Sequence, residues 1–149
     1  MVDFLEFTLN KFIFRVDTTC FYSPEGVWVK IVGNQVRLGL SDFLQQRSGD
    51  IAFADVKPEG TAMAVGDEVC AIETIKVTIS LTCPISGQVV RVNPRMESAP
   101  ETINQDPYGD GWLCEIEAAD WDNDRKDLLE PAAYFAQMKR EVENEETKE

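Results

Sequence analysis

Short runs of alternating apolar and polar residues recur along the chain, separated by Gly, Pro, Asn and Asp. Alternation with a period of two is the mark of half-buried strands, and it predicts a β-rich molecule. Residues 12–16 read as a short strand inside an otherwise mixed segment 1–22. Residues 27–32 and 35–40 flank Gly33-Asn34, two residues that tolerate positive φ, and together they predict a β-hairpin. Residues 41–49 break the alternation. Ser41 suits an N-cap, Asp42 the positive helix end and Gly49 the left-handed C-terminal position, so a short helix is expected. Strands follow at 50–56 and 88–93, with turns at 58–60 and 65–67. Between them, 68–72 and 77–83 read as two arms of a second hairpin. Residues 94–108 are rich in Pro, Asn and Asp and predict a long surface loop. A last strand is expected at 111–116. Residues 120–130 are polar, with at most a helical turn. Pro131 opens a helix to about 142, because Leu128, Ala132, Phe135 and Met138 recur at helical spacing. The residues themselves therefore predict a mainly β sandwich or barrel with a short internal helix and a C-terminal helix.

Charge and composition narrow the function classes. The chain of 149 residues carries 27 acids against 14 bases, a formal net charge of −13. Such a surface repels phosphate backbones, so no nucleic-acid partner is expected. Acidity also keeps a protein soluble, and it steers a chain toward basic rims on larger enzymes. No apolar run is long enough for a membrane span, and the first residues are acidic where a secretory signal is basic. These features predict a soluble protein of the bacterial cytoplasm or, in a eukaryote, of the mitochondrial matrix. Histidine is absent, which removes the commonest general base and most zinc sites. The four cysteines, Cys20, Cys70, Cys83 and Cys114, form no Cys-x-x-Cys pair. They read as buried, inert thiols. A hairpin tip near Ile75 and Lys76 would set Cys70 nearly opposite Leu81, making Cys70 and Cys83 neighbours rather than partners, with a disulfide between them left open.

The residue with the most chemical promise is Lys76. It lies at the expected tip of the second hairpin, in Glu73-Thr74-Ile75-Lys76-Val77, with Pro84 and Gly87 downstream. A carrier needs one amine held away from the body on a rigid base, so that an arm attached there samples several partner sites at high effective concentration. A tight turn between two strands meets both needs. Glu73, three residues before the lysine, offers a modifying enzyme a charged landmark. The alternative reading is a solvated surface charge in a turn.

The spacing of Glu73-Thr74-Ile75-Lys76 to Pro84 and Gly87 resembles the lipoyl-lysine segment of the glycine cleavage system H protein family, usually Glu-Ser-Val-Lys followed by Pro-x-Ser-Gly. The likeness extends in order through Val36 to Phe43, Gly49-Asp50-Ile51, Gly87 to Asn93, Pro100 to Asn104, Asp106-Pro107-Tyr108-Gly109, Gly111-Trp112-Leu113, Leu128-Leu129 and Tyr134. It implies a barrel-sandwich hybrid with helical additions. It divides the chain into an N-terminal extension (1–21), a lipoyl-carrier domain (22–139) and an acidic tail (140–149). It implies lipoate attached covalently to Lys76, and a non-catalytic carrier of the aminomethyl group of glycine. Its partners would be glycine decarboxylase, aminomethyltransferase, dihydrolipoyl dehydrogenase and the lipoyl-attaching enzyme, with the protein a monomer when free. The sequence departs from the family at three places. Gly26-Val27-Trp28 stands where His-x-Trp is common, Val77 follows the lysine in place of Ala, and Cys83 precedes Pro84 where Ser is usual. Two other readings therefore stand beside the first: an H-like lipoate-binding protein of another pathway, such as sulfur oxidation, and an unlipoylated binding scaffold. Biotin fits less well, because biotinyl domains place Met on both sides of the lysine and here Ile75 and Val77 flank it.

Overall fold

The alternating runs become strands in the computed structural model, which describes residues 3–147. An N-terminal hairpin, β1 (Phe4–Leu9) and β2 (Phe12–Asp17), precedes a short β3 (Phe21–Tyr22). Then come the hairpin β4 (Val27–Val32) and β5 (Gln35–Leu40), helix α1 (Asp42–Ser48), β6 (Ile51–Val56) and the short β7 (Ala62–Met63). The second hairpin is β8 (Glu68–Thr74) and β9 (Thr78–Thr82), followed by β10 (Gly87–Val92). Two single-turn helices, α2 (Arg95–Ser98) and α3 (Thr102–Gln105), lead to β11 (Cys114–Ala118). The chain closes with α4 (Trp121–Asp124), a 3₁₀ turn at Arg125–Asp127 and α5 (Pro131–Thr147).

Every paired strand is antiparallel. One sheet has six strands in the order β3-β4-β5-β11-β10-β7, and a second has three in the order β6-β8-β9. A common core packs between them. Leu38, Leu40, Val69, Ile72, Leu81, Ile85, Leu113 and Ile116 are all withdrawn from solvent there. Each side chain of this size contributes about 1.5–3 kcal/mol on full burial. A second cluster, with Phe14, Val16, Tyr22, Trp28, Phe43, Tyr134 and Met138, joins the N-terminal hairpin, α1 and α5 to the six-stranded sheet. Tyr22 and Tyr134 stack at 4.4 Å between ring centroids.

Close packing explains two of the glycines. A Cβ on Gly39 would stand 2.4 Å from the Trp28 ring. The ring lies flat over β5 because that position has no side chain, and its Nε1 donates to the Pro107 carbonyl at 2.9 Å. On Gly87 a Cβ would stand 2.1 Å from the Glu117 carbonyl oxygen of β11.

Four sequence expectations are corrected. Residues 94–108 are not a long surface loop, because Met96 and Ile103 are buried in the main core and α2 and α3 form around them. Within 1–22, β1 is a full strand, turned back by Asn10 at φ 57°. The last helix runs on past 142. Val142 is buried there, and Arg47 of α1 reaches Glu141 at 3.7 Å and Glu145 at 2.9 Å. The expected last strand starts later, at Cys114, because Gly111 packs against the backbone of Thr102, Ile103 and Asp106. Lys148 and Glu149, the end of the expected acidic tail, lie outside the described residues.

Candidate carrier lysine on a hairpin tip

The register of the β8–β9 hairpin places Lys76. Cys70 opposes Leu81, Ile72 opposes Ile79 and Glu73 opposes Thr78. Cys70, Ile72, Thr74 and Leu81 are buried, while Glu73, Ile75, Lys76 and Val77 are exposed. Thr74 and Val77 close the turn, leaving Ile75 and Lys76 as its two central residues.

A side chain holds this turn. Thr74 N–H donates to the Val77 carbonyl at 2.9 Å. In the return direction Val77 N–H donates to Thr74 Oγ1 at 3.1 Å, and Lys76 N–H reaches the same oxygen at 3.3 Å. The hydroxyl in turn donates to the Val77 carbonyl at 3.2 Å. Two-residue hairpin loops favour turns whose central residues take positive φ. Among the described non-glycine residues only Asn10 does so. The hydroxyl thus supplies the anchor for a tip made of two β-tolerant, non-glycine residues. Thr74→Val keeps the shape and removes these bonds, a loss of about 1–2 kcal/mol of local stability. We expect amide exchange at Lys76 and Val77 to accelerate about tenfold. Unchanged protection of both amides would show that the strands alone hold the tip.

Among the described residues Lys76 makes no ion pair or side-chain hydrogen bond. Glu73 is exposed one pair below the turn, with Phe53 of β6 as its other cross-strand neighbour. Large apolar side chains surround the tip in the open. Ile75 is 91% exposed and Phe53 65%.

The segment after β9 ties the hairpin to the body. Cys83 N–H donates to the Asp67 carbonyl at 2.7 Å, and Ile85 is fully buried. Ser86 donates from both its N–H and its hydroxyl to Asp124 Oδ2, at 2.8 and 2.6 Å. Asp124 was not singled out from the sequence, since its partner lies 38 residues away. Asn104 has a similar bridging role. It accepts from Ile51 N–H and donates to the Gly49 carbonyl and to Gln45 Oε1, joining α3 to the α1–β6 corner.

All four cysteines are buried and free, including Cys70 and Cys83. Burial pushes the Cys70 thiol up to about 12 and the Cys83 thiol up to about 11. Cys83 Sγ also donates to the Ile85 carbonyl at 3.0 Å. Protonated, enclosed thiols are poor nucleophiles, in accord with the inert role read from the sequence.

Two antiparallel sheets closed on one core, with added helices, are the barrel-sandwich hybrid of lipoyl-type carrier domains. The glycine cleavage H-protein family model matches residues 20–141. The glycine cleavage system H protein of Symbiobacterium thermophilum is 40% identical over 118 residues, covering 77% of this chain and 89% of its own length. The probable glycine cleavage system H protein of Haloarcula marismortui is 35% identical over 125 residues, covering 84% of this chain and 98% of its own. A crystal structure of a glycine cleavage system H protein from Mycobacterium marinum matches with a TM-score of 0.72 at 27% identity, over 80% of this chain and 96% of that one. The chain belongs to the glycine cleavage H-protein family.

Proposed function

We propose that Lys76 is the residue that carries the lipoyl group, and that Glu73 is the charged landmark read by the lipoyl-attaching enzyme. The observation that carries this reading is the presentation of Lys76: a tip residue, exposed, unpaired among the described residues, on a turn anchored by Thr74. As a member of its family the chain is a lipoyl carrier of the glycine cleavage system. The residues present fit the group. An amide-linked arm requires an amine clear of competing carboxylates and a base that does not yield, and Lys76 on the β8–β9 hairpin supplies both. When attached, the lipoyl group supplies a reactive disulfide that accepts the aminomethyl group derived from glycine.

The chain's own work is positional. Thr74 and the cross-strand pairs fix where the arm begins, and Asp124 and Gly87 fix the segment that follows. A tethered arm then meets each partner at an effective concentration set by its length. In this reading the catalysts are partners: glycine decarboxylase loads the arm, aminomethyltransferase unloads it and dihydrolipoyl dehydrogenase reoxidises it. The chain is the non-catalytic component, and a single copy supplies every residue that holds the tip. The net charge of −13 favours encounter with basic rims on those enzymes. No helix among the described residues is long and apolar enough to cross a membrane. We place the protein with these enzymes, in the bacterial cytoplasm or a mitochondrial matrix.

The test is reconstitution of lipoylated protein with glycine decarboxylase and aminomethyltransferase. Glycine–bicarbonate exchange that depends on the lipoyl group is the expected result. A fully lipoylated sample that supports no exchange would move the arm to another pathway.

A further inference from the structure

The N-terminal hairpin has two edges, and only one of them is capped. Arg15 N–H donates to Asp42 Oδ2 at 2.9 Å, away from β1. That bond fixes the phase of the ladder. Glu6–Arg15 is a pair that exchanges no backbone bonds, and so are Thr8–Ile13 and Phe4–Asp17, because the pattern alternates. The backbone groups of these residues therefore point outward from the hairpin. On the β2 edge they meet partners. Besides Asp42, Tyr108 OH donates to the Arg15 carbonyl at 2.7 Å and Gln46 Nε2 donates to the Ile13 carbonyl at 2.8 Å. On the β1 edge, no group of the described residues bonds to the outward N–H and C=O of Phe4, Glu6 and Thr8. β1 is six residues long and regular. A bare, regular strand edge is a template for another strand.

We propose that this edge pairs with β1 of a second copy of the chain, antiparallel about a two-fold axis at Phe7. Two registers keep the outward groups in phase over the centre of the strand. One sets Glu6 against the partner's Glu6, like charges face to face, which is unfavourable. The other sets Glu6 against the partner's Thr8, Phe7 against the partner's Phe7 and Leu5 against the partner's Leu9. In this register Glu6 and the partner's Thr8 exchange backbone hydrogen bonds, twice by symmetry, and the hairpins become one continuous sheet. The half-buried row Leu5, Phe7 and Leu9 then runs unbroken across the junction. Charge agrees with the same register. It brings Asp3 toward the turn at the tip of the partner's hairpin, where the partner's Lys11 is exposed, and neither residue makes an ion pair among the described residues. The hairpin packs on α1 and α5 rather than being built into the sheet that holds Lys76, so this surface is separate from the carrier tip and does not rest on the function proposed for it.

Each copy carries a net charge of −13. The dimer therefore tightens as salt screens the repulsion, whereas a basic strand from another protein would bind more weakly as salt rises. Pairing through one edge lies at the small end of stable interfaces, so full-length protein is sedimented from about 10 µM to about 1 mM, in about 50 mM and about 500 mM salt. A concentration-dependent dimer, stronger at the higher salt, is the expected result. Thr8→Pro removes an outward N–H while leaving the bonds of Phe7 and Leu9 to β2, and it abolishes the dimer. Lys11→Asp weakens it about tenfold, and adding Asp3→Lys restores it, which reads out the register without touching the backbone. Monomer at every concentration overturns the proposal. So does a dimer indifferent to Thr8→Pro and Lys11→Asp, which would place the contact elsewhere. A monomer that instead binds a lysine-rich strand peptide, less tightly at high salt, assigns the edge to a foreign partner and also overturns it.

Discussion

Lys76→Arg will leave a folded protein that carries no arm and supports no glycine–bicarbonate exchange. Arginine keeps the positive charge and the long stem, but its guanidinium is not an acylation target and stays protonated. Lys76 makes no ion pair among the described residues and its side chain is exposed, so the fold loses nothing on substitution. Thermal stability should stay within about 0.5 kcal/mol of the parent. Intact mass of protein from a lipoylating host should show one lipoyl increment for the parent and none for the variant. Separating mass from stability matters. A variant that loses the increment and keeps its melting temperature identifies an attachment residue, whereas loss of both would only report misfolding. A lipoyl increment that persists in Lys76→Arg would place the arm on another lysine.

Gly87→Ala should be the most damaging small substitution in the body of the protein. Gly87 faces Ala118 of β11 on one side and Met63 of β7 on the other. An added methyl would stand 2.1 Å from the Glu117 carbonyl oxygen and 2.7 Å from Ile116 Cγ2. The first obstacle is backbone within the six-stranded sheet, and it cannot rotate away as a flexible side chain would. The two strands must part at that point. We expect a loss of about 3 kcal/mol or more, or a fall of about 6–12 °C in melting temperature for a chain of this size. Gly60→Ala is the control. Gly60 takes φ 91° with nothing within 4 Å of the added carbon, so only the backbone conformation is penalised, by about 1 kcal/mol. Equal costs for the two substitutions would mean that close strand packing is not what Gly87 provides.

Local chemistry was readable in advance, and distant chemistry was not. Gly33-Asn34 marked the β4–β5 turn, and Ser41 does cap α1, its Oγ accepting from Leu44 N–H at 3.2 Å. The opposition of Cys70 and Leu81 followed from the position of the tip alone. Each of these depends on a few consecutive residues. The Asp124 clamp on Ser86, the Asn104 bridge and the bond from Trp28 to Pro107 span 38 to 79 residues. Nothing in a local pattern announces them. The segment 94–108 was misread because its Pro, Asn and Asp content outweighed two well-placed apolar residues, Met96 and Ile103. At the carrier site, the lysine and its spacing were legible in the sequence. That Thr74 ties the turn with its hydroxyl was not, because a threonine in that position reads equally well as an ordinary strand residue.

The flat seat of Trp28 over Gly39 has a practical side. Trp28 is 1% exposed and Trp112 is 8% exposed, with the Arg37 and Arg91 guanidiniums 4.6 and 5.2 Å from the Trp112 ring centre. Trp121 packs edge-on against Phe21. All three indoles belong to the six-stranded sheet or its borders, and none to the hairpin that presents Lys76. Intrinsic fluorescence should therefore follow unfolding of the body closely and stay silent when the tip is acylated, giving the protein a built-in gauge of integrity that does not read its cargo.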